Sequence, residues 1–240
     1  MELKIVALSD MHGMLPEIKE SADIALIAGD IVPLSIQSHN GLTYEWLYDT
    51  FLNWSKNIPV DKVFIIPGNH DWGLYVDDTV FKEISDKVAE KSEGKVILAK
   101  DDILEYNGFR IVTTPWCKQF YNWAYMLSSK KLGEKYNALL EKNEKRPVDI
   151  LLTHDAPYGV SDQLLEQTIW NPITPGPHIG NKPLANFVKQ LKPSYHFHGH
   201  LHSTNHEKEM LGNTIIYNVS IVSEAYQAIY NPLYLTITKE

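Results

Sequence analysis

Cysteine is almost missing from this 240-residue chain: Cys117 stands alone, so no disulfide can form within it. A lone thiol fits a reducing compartment, and Cys117 itself reads as a small residue in or near the core. Arginine is nearly as scarce, occurring only at Arg110 and Arg146. Basic charge as a whole is in deficit, with 22 Lys and Arg against 30 Asp and Glu and a formal net charge of -8. Gripping a phosphate backbone needs concentrated Lys and Arg, so a nucleic-acid polymer is not an expected partner. Long apolar runs are missing too, and nothing approaches the roughly 18 apolar residues of a membrane helix. Glu2, Lys4 and Asp10 break up the apolar start, which leaves no room for a secretory signal. A cytoplasmic protein without a membrane partner is therefore expected.

What is present is ordinary globular material, 44% hydrophobic, in an amount that fills one large α/β domain. No repeat, low-complexity tail or linker divides residues 1–240, and a single domain is expected. Short apolar runs alternate with helix-like segments. Trp46, Leu47, Thr50, Phe51 and Trp54 recur at helical spacing within Thr43 to Asn57, and the aromatic stripe among them reads as core packing. Thr79 to Lys91 is a second predicted helix. Ile103 to Tyr106 and Phe109 to Thr113 form a hairpin around Asn107-Gly108. Residues 121 to 143 are predicted helical with a break at Gly133, and the Lys-rich stretch Lys130 to Lys145 reads as a solvated face. A strand at Val148 to Leu152, a Pro- and Gly-rich stretch from Asn171 to Pro183, a helix at Lys182 to Leu191 and strands at Thr214 to Asn218 and Leu233 to Thr238 complete the pattern. Such an order predicts mixed sheets with helices outside.

Chemistry concentrates in five short polar motifs: Asp10-x-His12, Gly29-Asp30, Gly68-Asn69-His70-Asp71, Thr153-His154 and Gly199-His200-x-His202. Each follows a short apolar run, and loops at the carboxyl ends of such strands converge on one crevice. Asp10 and His12 are two apart and can share one ion. Gly29 permits a close approach beside Asp30, whose two oxygens can bridge cations about 3.5–4 Å apart. Asn69 offers a neutral oxygen, while His154, His200 and His202 supply nitrogens suited to zinc, iron or manganese. No thiolate joins this set, which argues against a structural zinc finger. Two imidazole-rich arms point to two divalent metal ions. His70 cannot easily share an ion with adjacent Asn69, so it is expected to face substrate as a general acid. Asp71 beside it is expected to accept from its ring and fix the tautomer.

This order of motifs, from Asp10 through His202, resembles the calcineurin-like metallophosphoesterase superfamily. The resemblance implies a double β-sandwich: two mixed sheets packed together and flanked by helices. It implies that Asp10, His12 and His202 hold one metal, that Asn69, His154 and His200 hold the second, and that Asp30 bridges them. It further implies hydrolysis of a phosphate ester by a hydroxide held between the ions. Ser/Thr protein phosphatases carry a phosphate-gripping arginine after Gly-Asp, whereas Ile31, Val32, Pro33 and Leu34 follow Asp30 here. Thr153-His154-Asp155-Ala156-Pro157, Gly159, Asp162 and His178-Ile179-Gly180 are similar instead to small metallophosphoesterase-domain phosphodiesterases, from which His198 departs in place of an aromatic residue. The expected substrate is a small phosphodiester or related organic phosphate. A phosphomonoesterase of the same fold and a metal-retaining scaffold without activity are the alternatives.

Other polar residues compete for a place in the site. His178 is a candidate phosphate contact or a residue ordering its own loop, and Trp116 either walls the site or packs in the core. Asp155 either orients a neighbour or is solvated, and Asp101 and Asp102 read as a polar turn. His196 and His198 share a strand face as histidines behind the ligands or in the core, and His39 and His206 read as surface residues. Specificity is expected in Ser35 to Thr43 and Tyr158 to Pro183.

Overall fold

Strands buried on both faces read as unbroken apolar runs, and this chain has such runs at residues 5–8, 24–27, 63–66 and 150–152, all of them buried. The computed structural model describes residues 1–166 and 174–239. Residues 167–173, part of the Pro- and Gly-rich stretch and of one expected specificity loop, lie outside the described residues. In chain order come β1 (Glu2–Leu8), β2 (Ala22–Ile27), α1 (Asn40–Trp46), a π-helical turn (Leu47–Phe51), α2 (Leu52–Asn57) and β3 (Val60–Ile65). A short turn at Trp72–Leu74 leads to α3 (Asp78–Lys91), β4 (Val96–Leu98), β5 (Asp102–Tyr106), β6 (Phe109–Thr114), β7 (Cys117–Lys118) and β8 (Met126–Leu127). Then follow α4 (Ser129–Asn143), β9 (Ile150–Thr153), β10 (Gln163–Glu166), β11 (Thr174–His178) and α5 (Lys182–Leu191). The chain continues through β12 (Tyr195–His198), β13 (Glu209–Leu211), β14 (Thr214–Asn218) and β15 (Leu233–Thr238).

These strands form two large mixed sheets, with orders β15-β1-β2-β3-β4 and β13-β14-β12-β9-β6-β5. In the first, only β15 runs antiparallel, against β1. In the second, β14, β12, β9 and β6 are parallel and the two edge strands reverse. Period-2 alternation sends Ile5, Ile24, Leu26 and Phe64 from one sheet against Phe109, Ile111, Ile150, Leu152 and Phe197 from the other, all essentially inaccessible. The intervening residues Val6, Leu8, Ala25, Ile27 and Val63 turn outward into a second apolar layer shared with Leu47, Phe51, Phe81, Ile84 and Val88 of the helices. The expected double sandwich is what the strands build.

Local signals set several helix ends. The Asp77 carboxylate accepts from the backbone N–H of Thr79 and Val80 to start α3, and Asn181 accepts from Leu184 to start α5. The expected helix over residues 121 to 143 is shorter than its pattern. Ser128 caps α4, so the helix begins at Ser129 and passes through Gly133 unbroken. Upstream, Tyr121 and Tyr125 take left-handed backbone and β7 pairs with β8, because Tyr125 is drawn into the core beside Trp116. Trp46, Phe51 and Trp54 pack together in the outer apolar layer, as the aromatic stripe predicts.

Candidate metal centre

Five turns at the carboxyl ends of β1, β2, β3, β9 and β12 meet in one crevice between the sheets. The parallel bridge Ser9 to Ser220 ties the end of the first sheet to the second, and the His200 backbone N–H donates to Asp10 at 3.0 Å. Asp10, His12, Asp30 and His200 all have positive φ, between 44° and 69°. Asp and His are among the residue types that tolerate this region, so the backbone turns sharply where the chemistry is needed. Gly29 is required for a different reason. At φ 97°, a Cβ there would lie 2.7 Å from the His154 ring and 2.9 Å from the Gly68 backbone.

The carboxylates sit at the centre. Asp10 Oδ1 lies 3.3 Å from His202 Nε2, and Asp30 Oδ2 lies 3.3 Å from His154 Nε2 and 3.9 Å from His12 Nε2. Asn69 Oδ1 is 3.0 Å from the same His154 nitrogen. The His200 ring is tilted against that of His154, with ring centroids 5.1 Å apart. Ligand atoms of Asp10, His12 and His202, and of Asp10, Asp30 and His154, gather within 4.8 Å of one another. The structure thus brings all seven sequence-derived ligand candidates together.

Whether these residues suit divalent cations can be judged from their unused atoms. His12 is buried, yet neither of its ring nitrogens has a hydrogen-bond partner. His154 Nδ1 donates to the Ala28 carbonyl at 2.6 Å and His202 Nδ1 donates to the Ser223 carbonyl at 3.2 Å. Both rings are thereby fixed with Nε2 turned inward, the second-layer arrangement typical of metal-bound imidazoles. The electrostatics agree. Burial opposes charge on Asp10, but His202, then His154 and His12, hold its carboxyl well below the usual range. Burial likewise opposes charge on Asp30, and His154 and His12 pull it down. Burial lowers His12 to about 4 and His200 to about 3, whereas Asp30 overcomes burial to raise His154 to about 10, and Asp10 likewise overcomes it to raise His202. Two dry carboxylates demand positive charge, which protons on His154 and His202 or divalent cations can supply. The donor set fits the cations, since His12 and His200 stay neutral with lone pairs free.

His70 and Asp71 separate. The Asp71 carboxylate, expected beside the His70 ring, instead accepts backbone N–H bonds from Asp30, Ile31, Val32 and Gly68 at 2.7–3.1 Å. Burial and the Asp30 charge push it up to about 7, against the pull of those donors. It locks the Gly29-Asp30 turn to the Gly68-Asn69 turn. The His70 ring is met by Gln37, whose Oε1 accepts from Nδ1 at 2.7 Å, and by Trp123, at 4.4 Å between centroids.

Other expectations resolve as follows. Trp116 is a core residue: its indole donates to Asp101 at 2.8 Å and its ring packs on Tyr125 and Tyr75, so Trp123 is the tryptophan at His70. His178 orders its loop by pairing with Asp162 at 2.6 Å. Asp155 is buried and orients neighbours, accepting from the Lys118 backbone and the Asn181 amide. Asp101 is more than a polar turn, since it also takes bonds from Thr114 and Lys135. His206 is not a free surface residue, because it stacks on Tyr230 at 3.7 Å and bonds the His202 carbonyl. His196 and His198 are fully buried behind the site. Cys117 is buried as expected, but its sulfur lies within 4.8 Å of ring nitrogens of His154 and His200. Sequence reasoning missed Gln37, Trp123, Phe120 and Tyr226. Phe120 tilts over His200 at 5.6 Å, and Tyr226 meets the His12 ring edge at 4.8 Å. Only Gln37 carried a signal, as a member of the Ser35 to Thr43 loop.

A family model described as calcineurin-like phosphoesterase matches residues 3–204. The chain belongs to the calcineurin-like phosphoesterase family. This family of metal-dependent phosphoester hydrolases is the one that the motif order resembles. The chain is 27% identical over 252 residues to the human metallophosphoesterase domain-containing protein 1, covering 98% of this chain and 71% of that protein. It is 28% identical to the UPF0046 protein T07D4.2 of Caenorhabditis elegans, covering 83% of this chain and 51% of the relative. Among solved structures, TT1561 of Thermus thermophilus aligns with TM-score 0.57 at 15% identity, over 91% of this chain and 89% of the other. Phosphopantetheinyl hydrolase of Mycobacterium tuberculosis aligns with TM-score 0.52 at 14% identity, over 93% and 90%. At such identity the likeness establishes the fold that this calcineurin-like chain shares with them. Among the described residues, no helix is long and apolar enough to cross a membrane.

Proposed function

We propose that this protein hydrolyses small phosphodiesters at a centre of two divalent cations. What carries the proposal is the convergence of seven donor side chains from five strand ends, with both nitrogens of buried His12 unpartnered. Asp10, His12 and His202 would hold one ion, Asn69, His154 and His200 the other, and Asp30 would bridge. Manganese, iron and zinc all suit such a donor set. When bound, such a pair supplies Lewis acidity at the phosphoryl oxygens and lowers the pKa of the attacking water. The chain's own residues do the rest. Ala28 and Ser223 keep the ligand rings aimed inward, and Asp71 holds the two central turns in register. His70, half-buried at the rim, gives a proton to the leaving oxygen.

A diester is favoured over a monoester because no guanidinium reaches the crevice. Arg110 is tied to Glu105 and Asn143, and Arg146 to Glu105. A monoester carries one more negative charge, and among the described residues neither guanidinium is placed to grip it. A cavity of about 630 Å³ opens beside His200, walled by Phe120, Leu164, Ile179 and Leu201 with Lys118 and Glu224, and it suits the organic part of an ester. The single apolar layer between the sheets supports residues 1–240 acting as one domain, and the lone thiol supports a cytoplasmic setting.

The test is turnover of bis-p-nitrophenyl phosphate and p-nitrophenyl phosphate by chelator-stripped protein with manganese restored. Metal-dependent turnover with the diester preferred is expected. Monoester preference would make this a phosphatase, and two bound metals without turnover of either ester would favour a scaffold.

A further inference from the structure

Besides the polar contact of its ring, His70 is held by three neighbours, and none of them is the carboxylate next to it in sequence. Its backbone N–H donates to Asp30 at 2.7 Å, Trp123 covers one face at an interplanar angle of 35°, and the His12 ring meets it edge-on at 5.0 Å. The fourth contact is polar and specific, from Nδ1 to Gln37 Oε1 at 2.7 Å. Asp71 has no capacity left for the ring, because four backbone N–H groups occupy its oxygens. A carboxylate partner would stabilise the imidazolium and make it a weaker acid. An amide oxygen orients the same cation without adding a charge that competes for its proton.

We propose that Gln37 is the positioning residue for His70: its amide oxygen accepts Nδ1–H and leaves the Nε2 proton for the leaving group of the ester. This rests on His70 acting as the proton donor proposed above. In the step, a hydroxide derived from water bonds to phosphorus as the P–O bond to the leaving group breaks, and the electron pair of that broken bond goes to the departing oxygen. That oxygen takes the Nε2 proton, and His70 becomes neutral imidazole while Nδ1–H stays on Gln37. The role follows from the fold. Gln37 lies in the loop between the β2 turn and α1, so the motif that holds Asp30 also delivers the amide that aims His70.

A donor of this kind matters most when the leaving group is basic and least when it is acidic, which gives a test that a purely structural residue would not satisfy. The manganese-loaded protein is assayed on methyl p-nitrophenyl phosphate and methyl phenyl phosphate, with Gln37→Ala, Gln37→Glu and His70→Ala beside the native chain. Gln37→Ala is expected to lose about tenfold or more in kcat on the phenyl ester and less than about threefold on the p-nitrophenyl ester, with KM and metal content unchanged. Gln37→Glu keeps an acceptor but adds the competing charge, so its phenyl-ester rate is expected to fall between those of Gln37→Ala and the native chain. Equal loss on both esters, or no loss on either, overturns the assignment of Gln37. If His70→Ala discriminates between the esters and Gln37→Ala does not, only the Gln37 role is wrong. If His70→Ala shows no discrimination, the proton-donor reading fails and takes this assignment with it.

Discussion

The two large sheets bring different chemistry to the crevice between them. From the first come the oxygen donors Asp10, Asp30 and Asn69, with His12 as its one imidazole. From the second come His154, His200 and His202, nitrogen donors throughout. Negative charge thus sits on one wall and the groups that answer it on the other, and neither wall makes a site alone. Contacts across the gap, such as Asp10 with His202 and Asp30 with His154, are also contacts between sheets. Anything that fills the crevice therefore also fastens one sheet to the other.

Substitution on the oxygen wall tests this division most severely. Asp30→Asn keeps the volume but removes the charge, and turnover should fall beyond the roughly 10–100-fold that follows loss of an outer partner of a metal ligand. Activity on the diester and metal content by elemental analysis decide it; a variant within about tenfold of native would mean the oxygen wall needs no bridging carboxylate. Next comes the apolar layer. Phe197→Ala, in the middle of that layer, should cost about 3–5 kcal/mol in urea unfolding. A loss below about 1 kcal/mol would mean the crevice contacts, and not the apolar layer, hold the sheets together. Metal comes third. Restoring cations at a hundred times their Kd to stripped protein should add about 2.7 kcal/mol, read as a raised melting temperature. Metal that binds without stabilising would show that filling the crevice does not fasten the walls.

The smallest effect concerns His196, which lies on the second sheet but outside the donor set. Burial holds its pKa well below 6.5. The unfolded chain takes up a proton below about pH 6.5 and the folded chain does not, so stability is full above that pH and is lost as pH falls. His196→Gln should remove up to about 1.4 kcal/mol per pH unit from the slope between pH 6 and 5. An unchanged slope would mean that His196 takes no part in acid sensitivity.

How far the sequence reveals all this depends on what each residue answers to. The five motifs are legible because Asp, Asn and His directly after apolar strands form a pattern that survives without knowledge of packing. Strands buried on both faces were legible for the same reason. Asp71 misleads because its neighbour in sequence is His70, while three of its four backbone N–H partners, those of Asp30, Ile31 and Val32, come from a turn some 40 residues away. Residues 121 to 128 look helical until Tyr125 is needed in the core, where its hydroxyl bonds the Leu74 carbonyl. Gln37 is legible only as a member of a candidate specificity loop, and its pairing with His70, like that of Trp123, depends on two distant loops meeting over one ring.

The outer neighbour of β1 is β15, paired from Glu2 opposite Thr238 to Ala7 opposite Leu233. During synthesis β1 therefore waits for a strand far downstream before its second edge is covered. Until then β1 offers a row of open N–H and C=O groups, and its apolar sequence makes that edge an invitation to other chains. The strand that carries Asp10 and His12 into place is thus also open to misassembly until β15 arrives, and a chain cut short of β15 should aggregate.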